Sequence, residues 1–94
     1  MSYFQDPAGS DTRFGSVRDF LFAMECGCET EFLWKGVHYG AVRYGTDNKV
    51  TVYVAMRPET EGVYDTAEEA LDYRLGEDRL GDVINRVEVL YRTI

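Results

Sequence analysis

The chain has 94 residues, 45% apolar and 14% aromatic, and seventeen acids against ten bases give it a net charge of −7. That length suits one domain, residues 1–94, and the apolar share closes a modest core, which excludes wholesale disorder. No run approaches the roughly 20 apolar residues of a membrane-crossing helix, and the acidic excess excludes a protein that grips phosphates by charge. Met1 to Pro7 has neither the basic region nor the apolar run of a secretory signal, so a cytoplasmic domain is expected.

Residues 1–15 contain Pro7, Gly9, Ser10 and Gly15 without periodicity and read as an irregular arm. Ser16 with Asp19 three residues on resembles a capping box and opens a first helix. Val17, Phe20, Leu21 and Met24 make its apolar stripe, and Gly27 stops it.

The middle third predicts strands. Glu31 to Trp34 and Val37 to Tyr44 flank Lys35-Gly36, a two-residue hairpin turn. Gly45 to Asn48 turns again, and Lys49 to Met56 is a third strand. Pairing then puts Phe32, Trp34, Val37, Tyr39, Ala41, Val50, Val52, Val54 and Met56 on one core face. Leu33, His38, Val42, Tyr44, Thr51 and Tyr53 fall on the other.

Arg57 to Tyr64, with Pro58 and Gly62, reads as a polar loop. Thr66 caps a second helix with Glu69 three residues on; Ala67, Ala70 and Leu71 face inward, and Gly76 suits its C-terminal cap. Leu80, Val83, Ile84, Val87, Leu90 and Tyr91 keep helical spacing and predict a third helix from about Asp78. The expected architecture is an α+β two-layer domain: a three-stranded antiparallel meander in the order α-βββ-αα.

Cys26 and Cys28 are too close for an unstrained bridge and too few for a disulfide framework. With His38 the only histidine, a four-ligand zinc site would need a carboxylate such as Glu25 or Glu29, so reduced thiols and no metal are expected. A thiol with His38 and an acid is the one nucleophilic constellation available, and nothing in the spacing fixes its geometry. Phosphate-cradling, nucleophile-elbow and dinucleotide motifs are missing, so no enzymatic activity and no cofactor are expected.

Residues 59–82 hold nine acids, namely Glu59, Glu61, Asp65, Glu68, Glu69, Asp72, Glu77, Asp78 and Asp82, against Arg74 and Arg79. The segment sums to −7, and the remaining seventy residues sum to zero. One reading is local: Glu68, Glu69, Glu77 and Asp78 suit the first turns of helices, where carboxylates meet the positive dipole end. It leaves Glu59, Glu61, Asp72 and Asp82 unexplained. The other reading is an outward surface of Glu59, Glu61, Asp65, Glu68, Glu69 and Asp72 that docks on a basic groove, imitating a row of phosphates. Tyr44 and Tyr53, on the second sheet face, are candidate interface anchors beside His38; alternatively the arm covers them through Tyr3, Phe4 and Phe14. His38 alone reads as a partly exposed strand residue.

Two stretches carry a resemblance. One is the hairpin Glu31-Phe32-Leu33-Trp34-Lys35-Gly36-Val37-His38-Tyr39-Gly40; the other is Tyr64-Asp65-Thr66-Ala67-Glu68-Glu69-Ala70-Leu71-Asp72-Tyr73 with the segment Leu80 to Leu90. In size, charge and layout the chain resembles small acidic proteins of bacteriophages and mobile elements, including anti-CRISPR proteins. The resemblance implies a stoichiometric inhibitor whose partner is the basic groove of a Cas-type complex, with no direct contact to nucleic acid or membrane. Two other functions fit the same residues: a module that self-associates as a homodimer through Tyr44, Tyr53 and Val42, and an antitoxin or immunity protein for a nuclease.

Overall fold

The computed structural model describes residues 13–43 and 49–93. Helix α1 (Val17–Glu25) leads into strands β1 (Glu29–Trp34), β2 (Val37–Arg43), β3 (Val50–Val54) and β4 (Arg57–Tyr64). Helix α2 (Ala67–Ala70), a hairpin of β5 (Arg74–Leu75) and β6 (Asp78–Arg79), helix α3 (Leu80–Val83) and strand β7 (Glu88–Arg92) follow. Five strands form one antiparallel sheet in the order β4-β3-β2-β1-β7. The fold is α+β, and the expected meander is its centre, widened by a strand on each side. Among the described residues no helix is long and apolar enough to cross a membrane.

Local chemistry explains the elements that match expectation. Ser16 accepts the Asp19 N–H, and Asp19 Oδ2 accepts the Gly15 N–H at 3.0 Å. Gly27, at φ +79°, ends α1: its N–H bonds to Met24 O, and the Cys28 N–H to Ala23 O, the paired bonds of a Schellman cap. Lys35 and Gly36 both have positive φ, 51° and 80°, the backbone of a type I′ hairpin turn whose twist suits the flanking strands. Thr66 accepts the Glu69 N–H, and Glu69 Oε1 reaches back to the Asp65 N–H.

Two segments differ from expectation. Arg57 to Tyr64 is an edge strand rather than a loop. Pro58, which cannot donate to a ladder, is tolerated because β4 has a partner on one side only. A register shift in β4 is bridged by Thr60, whose hydroxyl accepts the Val54 N–H at 2.8 Å and donates to Arg57 O. The expected C-terminal helix stops after one turn. Leu80, Val83 and Ile84 are buried as the helical spacing requires, but from Val87 the chain alternates, with Val87 and Val89 buried and Glu88 exposed, and forms β7. Leu90 and Tyr91, expected on a helix, therefore stand on a strand. Gly76 does not cap α2; its φ of +70° serves the turn of the β5–β6 hairpin.

Core positions follow the register. Phe32, Tyr39, Ala41, Val50 and Val52 are buried together with Phe14, Phe20, Met24, Leu80 and Ile84, and Trp34 and Val54 pack against them partly buried. The strand ends fail: Val37 is exposed, and Met56, at φ +66° in the β3–β4 turn, is 95% exposed. Val17 likewise drops out of the α1 stripe, where Ala23 is buried instead. Phe14 meets Phe20 edge-on at 5.4 Å and carries the Arg92 guanidinium over its ring, so this arm residue belongs to the helix side of the sheet and does not cover Tyr53. The arm residues 1–12, with Tyr3 and Phe4, Tyr44 and the turn at 45–48 lie outside the described residues.

Candidate partner-docking surface

The six expected docking acids have unequal environments. Glu59 pairs with Arg57 at 3.0 Å, Asp65 with Lys49, and Asp72 with Arg79 at 2.8 Å. The Glu59 carboxyl is held below its usual range by its own backbone N–H and then by Arg57; the Asp65 carboxyl is lowered by Lys49. Arg79 also binds Asp82 at 3.2 Å, and the hydrogen bond it donates to the Asp72 carboxylate raises its affinity for the proton. Glu69 is engaged in the α2 cap. Glu61 and Glu68 are exposed, without a Lys or Arg partner among the described residues.

A wider pattern emerges from the ion pairs. Every described aspartate has a cationic partner: Asp19 with Arg92, Asp65 with Lys49, Asp72 and Asp82 with Arg79, and Asp78 with Lys35. Of the described glutamates only Glu59 has a Lys or Arg partner, and Glu31 has His38, whose Nε2 lies 3.0 Å from Glu31 Oε1. All ten Lys and Arg lie within the described residues. Short aspartate side chains tie residues together, whereas seven of the nine glutamates have no cationic partner among the described residues. Lys35, Lys49 and Arg57 are drawn onto the acidic segment, so the surplus is divided: Glu61, Glu68, Glu69 and Glu77 keep part of it there, and Glu25, Glu29 and Glu88 carry the rest elsewhere.

Part of it, Glu29 and Glu88, lies on the sheet face turned away from the described helices, the helix-free face. The β1–β2 register places Glu29 beside Val42, Glu31 beside Gly40 and Leu33 beside His38, while Glu88 of β7 stands next to Leu33. A β-bulge in β7 shifts the register opposite Glu31 and Phe32, and the Thr30 hydroxyl donates to Tyr91 O at 2.8 Å there. Strict alternation would send one of two successive residues inward. The bulge instead leaves both Leu90 and Tyr91 exposed, at 45% and 49%, with Val89 before them and Arg92 after them turned to the core side. Farther along the face Tyr53 lies across the Gly40 backbone, as expected from pairing, while Thr51 is buried between Val42 and Val63.

Glu29, Glu31, Glu88, Leu90 and Tyr91 were not legible as a surface in the sequence. The signal that finds them is the alternation Val87-Glu88-Val89, which competes with helical spacing over the same residues.

The remaining candidates are less developed. Cys26 is exposed and Cys28 buried, both as free thiols, and no group of three or more His, Cys, Asp or Glu among the described residues is arranged to hold a metal ion. Trp34 donates from Nε1 to Asp78 Oδ2 at 2.9 Å beside a cleft of about 310 Å³ lined by Tyr39, Leu75 and Glu77. Its indole is already faced by Lys35 and Arg86. A shallow groove between α1 and α2 exposes Val17 and Phe22 next to Glu25 and Glu68.

Comparison with protein-family models, curated proteins and solved structures returns no match to this chain.

Proposed function

We propose that the protein is a non-enzymatic acidic binding protein that docks on a cationic surface of a protein partner. The observation that carries this reading is the division between described aspartates and glutamates: all five of these aspartates are matched by Lys or Arg, and seven glutamates, Glu25, Glu29, Glu61, Glu68, Glu69, Glu77 and Glu88, have no cationic partner among the described residues. Carboxylates on a surface without counter-charges repel one another and gain when a basic surface displaces their counterions. The resemblance in size and charge to anti-CRISPR proteins makes a nucleic-acid-handling complex the partner to test first, with competition for its nucleic-acid groove as the mechanism.

The test is a competition measurement. Labelled DNA bound to a Cas-type effector is titrated with the protein at 50 and 500 mM salt. Stoichiometric displacement at low salt that weakens at high salt supports the inhibitor reading. Effectors that keep their DNA at every concentration overturn it.

A further inference from the structure

We infer that the docking surface is the β1–β7 quarter of the helix-free sheet face, and that its occupant is a Lys/Arg-rich, apolar-containing segment of a partner protein. This inference rests on the acidic-docking reading and says where on the molecule that docking happens.

Two observations converge on this quarter. It holds Glu29, Glu31 and Glu88, of which only Glu31 has a partner with a basic side chain, the imidazole of His38. The β7 bulge delivers two neighbouring large apolar side chains, Leu90 and Tyr91, onto the same face, so charge and apolar area coincide. An aromatic anchor beside uncompensated charge is the composition of an interface centre and its rim. By contrast, the acids of β4 and α2 are interspersed with Arg57, Lys49 and Arg79, and the exposed Phe22 beside Glu25 and Glu68 shares its groove with Arg18.

Charge decides the occupant. A second copy placed on this face brings Glu29, Glu31 and Glu88 against their own equivalents, since a two-fold interface is self-complementary in position but not in sign. A nucleic acid meets the same repulsion. A cationic segment gains charge pairs with all three glutamates while its apolar side chains cover Leu33, Leu90 and Tyr91.

The probe is an acetylated, amidated peptide of two Arg-Leu-Arg triplets joined by Gly-Ser, titrated into the ¹⁵N-labelled protein at 25 and 250 mM salt. Saturable shifts are expected at Glu29, Glu31, Leu33, Glu88, Leu90 and Tyr91. The triple variant Glu29→Gln, Glu31→Gln, Glu88→Gln should weaken binding at least tenfold and flatten its salt dependence. Tyr91→Ala should weaken binding about fivefold at both salt concentrations, with the amide spectrum of each free variant reporting that the fold is kept. Shifts confined to Glu61, Glu68 and Glu69 would overturn this placement and leave the acidic-docking reading standing. Shifts spread evenly over all exposed acids would overturn the placement as well, and no binding at 25 mM salt would overturn both. Sedimentation of the free protein as a dimer that the Tyr91→Ala variant dissolves would give the face to a second copy instead.

Discussion

Arg92, in the last strand, holds Asp19, in the first helix, through two parallel hydrogen bonds: Nη2 to Oδ1 at 3.0 Å and Nη1 to Oδ2 at 3.2 Å. The two residues are 73 positions apart, so the pair joins the ends of the described chain. The guanidinium also lies 4.9 Å from the centre of the Phe14 ring, which adds a cation–π contact. The hydrogen bond from Arg92 holds the Asp19 carboxyl below its usual range, outweighing the opposing effect of burial.

Replacing Arg92 with Gln should therefore destabilise the fold by about 1.5–3 kcal/mol at pH 7, the scale of hydrogen bonds to a charged group. The pH dependence has a definite sign. A carboxyl whose folded value is depressed contributes fully above its unfolded value of about 3.9, and loses that contribution as pH falls through the folded value. Urea unfolding of wild type and Arg92→Gln from pH 7 to pH 2 should show a gap that narrows only below about pH 4. A gap constant over that range would mean that the pair's charge contributes nothing.

Gly40 is glycine because a ring lies across it. A Cβ at this position would sit 2.4 Å from Tyr53 Cζ, in the neighbouring strand and directly opposite in the register. Gly40→Ala must push the Tyr53 ring aside, at a cost of about 1–3 kcal/mol typical of overpacking. The cost should largely vanish in a Tyr53→Ser background, because the displaced ring is gone. Thermal unfolding of the four species of this double-mutant cycle measures the coupling, and additive effects would refute the ring-over-glycine account.

Trp34 is the only tryptophan and reports directly on Asp78. Its indole N–H, followed by Lys35, holds the Asp78 carboxyl below the usual carboxylate range. Protonating Asp78 removes the charged acceptor. Fluorescence emission should therefore shift in an acid titration with a midpoint below the ordinary aspartate value. Asp78→Asn should abolish the step. An unchanged step in that variant would assign it to another group or to global unfolding, which circular dichroism at the same pH separates.

The central sheet was legible because both of its signals are local. Lys-Gly fixes the first turn, and the two-residue alternation of Phe32, Tyr39, Ala41, Val50 and Val52 fixes the register. The outer strands were not. Arg57 to Tyr64 carries the charge and proline of a loop because an edge strand is built to discourage further pairing. Leu80 to Tyr91 satisfies helical spacing throughout, yet the second half is β because β1 offers it an unpaired edge, a tertiary fact that no local period contains. The same misreading hid Leu90 and Tyr91. The location of the surplus charge was hidden as well, since the pairing of Lys49 with Asp65 and of Lys35 with Asp78 joins residues 16 and 43 positions apart.

The contrast between paired aspartates and uncompensated glutamates predicts opposite responses to neutralisation. Asp19→Asn removes the negative charge and replaces by an NH2 donor one of the two oxygens that accept from Arg92 and the Gly15 N–H, and should lower stability. Glu29→Gln, Glu31→Gln and Glu88→Gln remove like charges that share one sheet face, Glu31→Gln keeping an amide oxygen for His38 Nε2, and each should stay within about 0.5 kcal/mol of wild type. The triple variant should equal or exceed wild-type stability at low salt, since the repulsion it relieves is least screened there, and the advantage should disappear in 0.5 M salt. Urea midpoints at the two salt concentrations decide the matter. A triple variant markedly less stable than wild type at low salt would show that these glutamates help hold the fold, and would remove the distinction between structural aspartates and outward-facing glutamates.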